Sequence, residues 1–465
     1  MGSNEQIYTV TMSKKEVVAA VLPVQDHWLP LSNLDLLLPP VDVGVFFCYK
    51  KPKLSFGAMV NVLKKAMAQA LVSYYPFAGE VVANSVGEPE IFCNNRGVEF
   101  YEAVADVELV ELNLYNPDES VEAKLVPRKE NGVFAVQVTE LKCGGIVVAC
   151  TFDHRIADAY SANMFLVSWA QTSQSEPISI IPSFRRSLLN PRRPAHVDPS
   201  IDNLYVPISS LFSSKNSKTD NNADEHHDDD DHLISRIYYV KKDELVRLQS
   251  LASANGYKRT KLEAFSAFLW QLIAKCASTN TKNGKVKMSK LGIVVDGRTR
   301  LSNGNDSMCA YFGNVLSIPY DSKKIDELVE NKLSWVTNNV HELLNEAVTK
   351  EHFLGLIDWV EAQRPEAAIS KIYTSNKEDG PAFVVSSGQR FPILKMDFGW
   401  GLPIFGSYHF PWGGKTGYVM PMPSPQGNGD WILYMHLFSD QLDFLEIEAA
   451  KFFMPLNWDD LQASA

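Results

Sequence analysis

The stretch from Gly145 to Thr172 constrains this chain more than any other. Ile146-Val147-Val148-Ala149-Cys150-Thr151-Phe152 is a short, largely β-branched run behind two glycines, the pattern of a buried strand. From Asp158 onward Ala162, Phe165, Leu166 and Trp169 recur at i, i+3, i+4 and i+7, which predicts an amphipathic helix. His154 therefore falls at a strand-to-helix turn.

Similar alternation runs through the rest of the chain. Leu54 to Tyr75 has helical apolar spacing and stops at Pro76, as proline requires. Phe134, Val136 and Val138 alternate like a strand. Lys261 to Lys275 places Leu262, Phe265, Leu269 and Leu272 on one helical face, with Thr260 as the N-cap. Leu291 to Val295 predicts another buried strand. Lys323 to Asn345 predicts a helix capped by Ser322. Strands alternating with helices indicate an α/β fold with mixed β-sheets flanked by helices.

Between the two sets of elements, Ser213 to His232 contains a single apolar residue, Ala223. Such a run cannot offset the entropy of ordering and is expected to form a solvated surface loop. Pro191, Pro194 and Pro199 make the segment before it extended. The expected organisation is an N-terminal domain over 1–195, a crossover with the acidic loop over 196–232, and a C-terminal domain over 233–465.

Charge and cysteine usage exclude several functions. The net charge is −11, and seven of the negative charges lie between Asp220 and Asp231; an acidic chain without a basic run repels phosphate backbones, so nucleic acid is not an expected partner. The six cysteines lack CxxC spacing, which argues against a zinc site or a disulfide framework. His226-His227-Asp228-Asp229-Asp230-Asp231-His232 holds metal-binding side chains without the fixed geometry a site needs, so no metal is expected. No apolar run approaches the ~20 residues of a membrane helix, and the first residues do not form a signal peptide. A cytoplasmic protein is expected.

The candidate catalytic unit is His154-Arg155-Ile156-Ala157-Asp158. A neutral imidazole is the side chain best suited to take a proton near neutral pH, and the end of a buried strand holds it facing a cleft. Cys150 lies on the same strand face, but four residues of strand span ~13 Å, too far for a nucleophilic Cys–His pair. Neither a Gly-x-Ser-x-Gly elbow nor a phosphate-binding glycine loop is present. Asp397-Phe398-Gly399-Trp400-Gly401, followed by Leu402-Pro403, allows a tight turn with close backbone approach, a structural role in which Asp397 pairs locally.

Taken in order, these two motifs resemble the BAHD acyltransferases. Leu31-Ser32-Asn33-Leu34-Asp35, Tyr75-Pro76-Phe77-Ala78-Gly79, Phe184-Arg185-Arg186-Ser187-Leu188-Leu189, Asp296-Gly297-Arg298-Thr299-Arg300 and Tyr311-Phe312-Gly313-Asn314 extend the resemblance over nearly the whole chain. It implies two chloramphenicol-acetyltransferase-like domains around a solvent channel, which acyl-CoA and the acceptor enter from opposite faces. His154 would deprotonate the acceptor, which attacks the thioester directly. Asp158 would hold the histidine turn through Arg298, with Arg300 as the reserve on the same strand face. Asp397 and Trp400 would support the site. CoA would lie near Lys258 and Thr260, as a co-substrate rather than a permanent cofactor, in a protein acting as a monomer.

The chain departs from the family pattern at several positions. Ala159 replaces a glycine, and Asp153 sits beside the histidine, where it either favours the imidazolium or points off the other side of the strand. Gly388 and Gln389 stand where hydroxycinnamoyl-transferring members tend to carry Trp and Thr, which is expected to reshape the acyl or acceptor pocket around Gln389. The framework is similar to shikimate hydroxycinnamoyltransferases, and the branch including coniferyl alcohol acyltransferases looks closest. The expected reaction is acyl transfer to the hydroxyl of a small phenylpropanoid-type alcohol. The alternatives are transfer to an amine and a catalytically silent, ligand-binding role.

Overall fold

The computed structural model describes residues 8–196, 198–209, 232–254, 256–279, 287–302, 308–374, 379–410 and 414–462. Most of the acidic segment, including six of the seven residues from His226 to His232, lies outside the described residues.

Two large mixed sheets form the frame. The first has the strand order Val10–Val18, Val98–Ala105, Phe134–Leu141, Ile146–Asp153, Asp42–Tyr49, Phe405–His409. Only the pair Val98–Ala105 and Phe134–Leu141 is parallel. Ile146–Asp153 is buried at every position, because strands lie on both sides of it and the helices Phe56–Ser73 and Ala159–Ser173 pack nearby. The β-branched run predicts this correctly.

The second sheet runs Tyr320–Lys324, Met288–Ile293, Ala382–Val385, Gly417–Pro423, Trp431–Phe438, Leu233–Val240, Met454–Pro455. Its apolar face packs against the helices Lys242–Ala252, Lys261–Thr279 and Leu333–Ala347 through Leu245, Phe265, Leu269, Trp270 and Val340. The fold is the mixed α/β arrangement read from the alternating elements.

Three local expectations change. Residues 323–345 do not form one helix: Tyr320–Lys324 is a strand pairing with Met288–Ile293, and two helices follow, Ile325–Glu330 and Leu333–Ala347. The lysines and Ser322 carry no apolar periodicity of their own, and the sheet edge claims them. Within the expected crossover, Tyr205–Pro207 is a strand paired with Ala368–Ser370. Finally, Phe405–His409, from far along the chain, supplies the sixth strand of the first sheet by pairing with Asp42–Tyr49.

Candidate active site

A cavity of about 630 Å³ opens where the two sheets meet, and His154, Asp158, Arg298 and Gln389 line it. His154 directly follows Asp153, the last residue of the strand, and its backbone N–H donates to Val41 O at 2.9 Å. Asp158 is the N-cap of the helix Ala159–Ser173 and accepts from Ser161 N at 2.9 Å, satisfying one of the unpaired amides of the first turn. The four-residue spacing of the motif is thus the length of the turn between strand end and helix cap.

Asp158 is fully engaged. Arg298 donates to it twice, Nη1 to Oδ2 at 2.7 Å and Nη2 to Oδ1 at 3.0 Å, and Val315 N donates to Oδ2 at 3.1 Å. Both side chains are buried, 1% and 3% exposed, so the pair is a charge-assisted clamp between the two halves of the chain. It leaves no oxygen lone pair aimed at proton transfer.

Arg300 is exposed and takes no part. The expected strand alternation fails because Arg298–Leu301 is a helical turn, which rotates successive side chains by about 100° rather than 180°. Gly297 precedes it because a Cβ there would meet the Phe353 ring at 2.5 Å.

The remaining motifs converge on the same turn. Asn314 Nδ2 donates to the carbonyls of His154 and Arg155 at 2.9 and 3.2 Å. Asp35 Oδ1 in turn accepts from Asn314 N and Nδ2 at 2.7 and 2.9 Å. Arg186 Nη1 donates to Phe312 O at 2.6 Å and Tyr311 OH at 3.0 Å. Gly313 sits between them at φ 143°, where a Cβ would meet Arg186 Nη1 at 2.8 Å. Asp35, Arg186, Asn314 and Ser161 therefore belong to the site's support. The sequence signalled the first three as motif members but not their convergence.

Electrostatically the imidazole is set up as a base. Burial pushes the His154 pKa below its ordinary value of 6.5, against the pull of Asp158 and Asp153, so the ring is neutral near pH 7. Asp153 is turned away and held by Arg155, whose Nε and Nη2 donate at 3.0 and 2.6 Å. His154 Nδ1 and Gln389 Nε2 make no hydrogen bond among the described residues.

Gly388 does not enlarge the cavity. Its Cβ position lies 2.8 Å from Met422 Cγ and 3.2 Å from Met420 Sδ, so two methionines occupy the space that a bulky residue would take. Gln389 alone of that pair faces the cavity.

Asp397 and Trp400 lie outside the cavity lining. Asp397 Oδ1 accepts from Gly399 N at 2.7 Å and Gly401 N at 2.9 Å, and both glycines have positive φ, 103° and 107°. Trp400 packs against Phe398 and Tyr49. Gln174, just after the helix Ala159–Ser173, donates to Asp397 O at 2.7 Å. Lys258 and Thr260 are exposed and also outside the lining. Thr260 N and Oγ1 donate to Glu263 in a capping arrangement, at 2.7 and 2.6 Å. Among the described residues, no group of three His, Cys, Asp or Glu is placed to hold a metal, and no helix is long and apolar enough to cross a membrane.

This two-sheet α/β frame, with a histidine turn clamped across its halves, matches a known family. The sequence model of the Transferase family covers residues 8–451; the chain belongs to this family, the BAHD acyltransferases, and is an acyl-CoA-dependent acyltransferase. Omega-hydroxypalmitate O-feruloyl transferase from Arabidopsis thaliana is 28% identical over 80% of this chain and 78% of its own length. Agmatine hydroxycinnamoyltransferase 1 from Oryza sativa subsp. japonica is 28% identical over 91% of this chain and 93% of its own. A crystal structure of F. sporotrichioides TRI101 with coenzyme A and T-2 superposes with a TM-score of 0.72 at 15% identity, covering 91% of this chain and 98% of that one, a likeness of fold.

Proposed function

We propose that the chain transfers an acyl group from acyl-CoA to the hydroxyl of a small phenylpropanoid-type alcohol, with His154 as general base. The observation that carries this reading is a buried imidazole lining a cavity of about 630 Å³ beside a carboxylate that is already saturated; burial lowers its pKa, which favours the neutral ring. His154 takes the acceptor proton as the oxygen forms its bond to the thioester carbon. The tetrahedral adduct collapses, the C–S bond breaks, and the proton on His154 goes to the departing CoA sulfur. Asp158 and Arg298 hold the turn and exchange no proton. CoA reaches the thioester into the cavity while its nucleotide end rests outside, near Lys258 and Thr260, and the protein works as a cytosolic monomer.

The acceptor side favours an aromatic. Phe391, Phe410, Tyr160, Tyr373 and Tyr418 line the cavity and offer edges and faces to a ring, while Gln389 offers an amide. An amine acceptor is the second reading, favoured by Asp296, whose partly exposed carboxylate also lines the cavity and suits a cationic tail. A panel of acyl-CoAs against aromatic alcohols and amines, read by mass spectrometry, tests both. Ester products with aromatic alcohols support the proposal; amide products alone overturn it in favour of the second reading.

A further inference from the structure

His154 lacks the carboxylate that orients the base in many acid–base sites, since Asp158 is occupied by Arg298, Ser161 and Val315. Its ring must be held by packing instead. On the side facing the last strand of the first sheet, the Phe410 ring meets the imidazole edge to face, with centroids 5.6 Å apart and planes at 83°. Phe410 is 7% exposed, lines the cavity, and is backed by Tyr418 at 4.9 Å.

Phe410 directly follows the five-residue edge strand Phe405–His409, whose only sheet neighbour among the described residues is Asp42–Tyr49. One short ladder leaves the strand end free to shift unless its side chains are fixed. His409 fixes it. The side chain is 1% exposed; Nδ1 bonds the Glu122 carboxylate and Nε2 lies 2.9 Å from Ser407 Oγ. Its face stacks on Tyr434 at 4.4 Å, and the Phe46 ring closes the other approach. Burial drives its pKa down to about 3, with His436 adding to the effect. The neutral ring therefore donates from Nδ1 to Glu122 and accepts from Ser407.

The segment carrying Glu122 is itself anchored at its other end, where Asp118 Oδ2 accepts from Ser235 N at 2.7 Å in the second sheet. Ser235 Oγ also contacts Tyr434 OH at 3.1 Å and His436 Nδ1 at 3.0 Å. The cluster thus spans both sheets and ends one residue from the ring that touches the base.

We infer that Phe410 is a positioning residue for His154, and that the pairing of buried His409 with Glu122 holds Phe410 in place. The ring edge limits rotation of the imidazole and keeps water from one of its faces. The carboxylates acting on His154 are Asp153 and Asp158, each tied to an arginine, Arg155 or Arg298, and Asp296, Arg390 and Lys395 also line its cavity. They are untouched by changes at position 410. This inference rests on His154 acting as the base.

The test compares Phe410→Ala, Phe410→Leu, Phe410→Tyr and Glu122→Gln in the full-length enzyme, by kcat, KM for acyl-CoA, the pH profile of kcat/KM and melting temperature. Phe410→Ala is expected to lower kcat about ten- to a hundred-fold, the usual effect of a misplaced catalytic group, with acyl-CoA KM nearly unchanged. Water admitted to the imidazole raises its pKa, so the acid limb moves to higher pH. Phe410→Leu, which stays apolar but is smaller and lacks the ring edge, is expected to show a lesser shift in the same direction, and Phe410→Tyr to restore the wild-type limb. Glu122→Gln is expected to move the limb in the same direction by less, and to add nothing in the Phe410→Ala background. An acid limb unmoved in folded Phe410→Leu while His154→Ala abolishes turnover overturns the inference and leaves the base intact. Full turnover in folded His154→Ala overturns the base itself.

Discussion

Arg298 and Asp158 form a buried, two-fold hydrogen-bonded ion pair that joins the second half of the chain to the turn carrying His154. Removing either partner leaves a buried charge without its main counter-ion, Arg298 keeping only a 3.4 Å contact with the half-exposed Asp296. Asp158→Ala or Arg298→Ala is expected to cost about 3–5 kcal/mol, visible as a fall in melting temperature that accompanies loss of activity. The double variant should cost clearly less than the sum of the singles, because the pair shares one interaction. Asp158→Ala that abolishes activity at an unchanged melting temperature would move this residue into the chemistry.

The glycine turn at Asp397 makes a separable prediction. Asp397→Ala removes the acceptor for two backbone amides, an expected loss of about 1–2 kcal/mol. The residue does not line the cavity, so the folded variant should keep kcat within a few-fold of wild type. A large kcat loss with unchanged stability would give Asp397 a direct role.

Much of this arrangement is legible from local pattern alone. The strand, turn and helix around His154 follow from β-branched and helical spacing, since both periods are local properties. Arg298 as the partner of Asp158 rests on the family resemblance, because nothing local links residues 140 positions apart. Arg300 leaves the face that strand alternation assigns it because Arg298–Leu301 coils. The strand Phe405–His409 is not legible locally because its pairing is set by register against residues 42–49, and the place of Phe410 depends on that strand. At Gly388 the reason is different: the volume a side chain leaves depends on what packs into it, here Met420 and Met422 from the strand Gly417–Pro423.

That packing predicts a sign. Restoring bulk by Gly388→Trp should fail to rebuild a narrower pocket. The new side chain would overlap Met422 and the Pro421 carbonyl, and overpacking of this kind costs about 1–3 kcal/mol or more. A lower melting temperature is expected; a stable variant with a changed acyl-CoA preference would contradict the packing argument.

Direct transfer makes a kinetic prediction. Cys150 is buried, its thiol pKa is raised by burial, and it does not line the cavity, so it is not placed to carry the acyl group; Cys309 does line the cavity, and direct transfer predicts that it too stays unacylated. Initial-rate plots in both substrates should intersect, and mass spectrometry of enzyme incubated with acyl-CoA alone should find no acylated protein. Parallel plots, or an acylated Cys150, would replace direct attack with a two-step route.

The central claim is that His154 is the base, and it is tested most directly by His154→Ala and the wild-type pH profile on a substrate the panel identifies. The folded variant is expected to lose about two to four orders of magnitude in kcat. Because burial lowers the imidazole pKa, the base is free above that value, and wild-type kcat/KM should fall only as pH drops below 6.5. A folded His154→Ala enzyme with near wild-type kcat and the same acid limb would contradict the account.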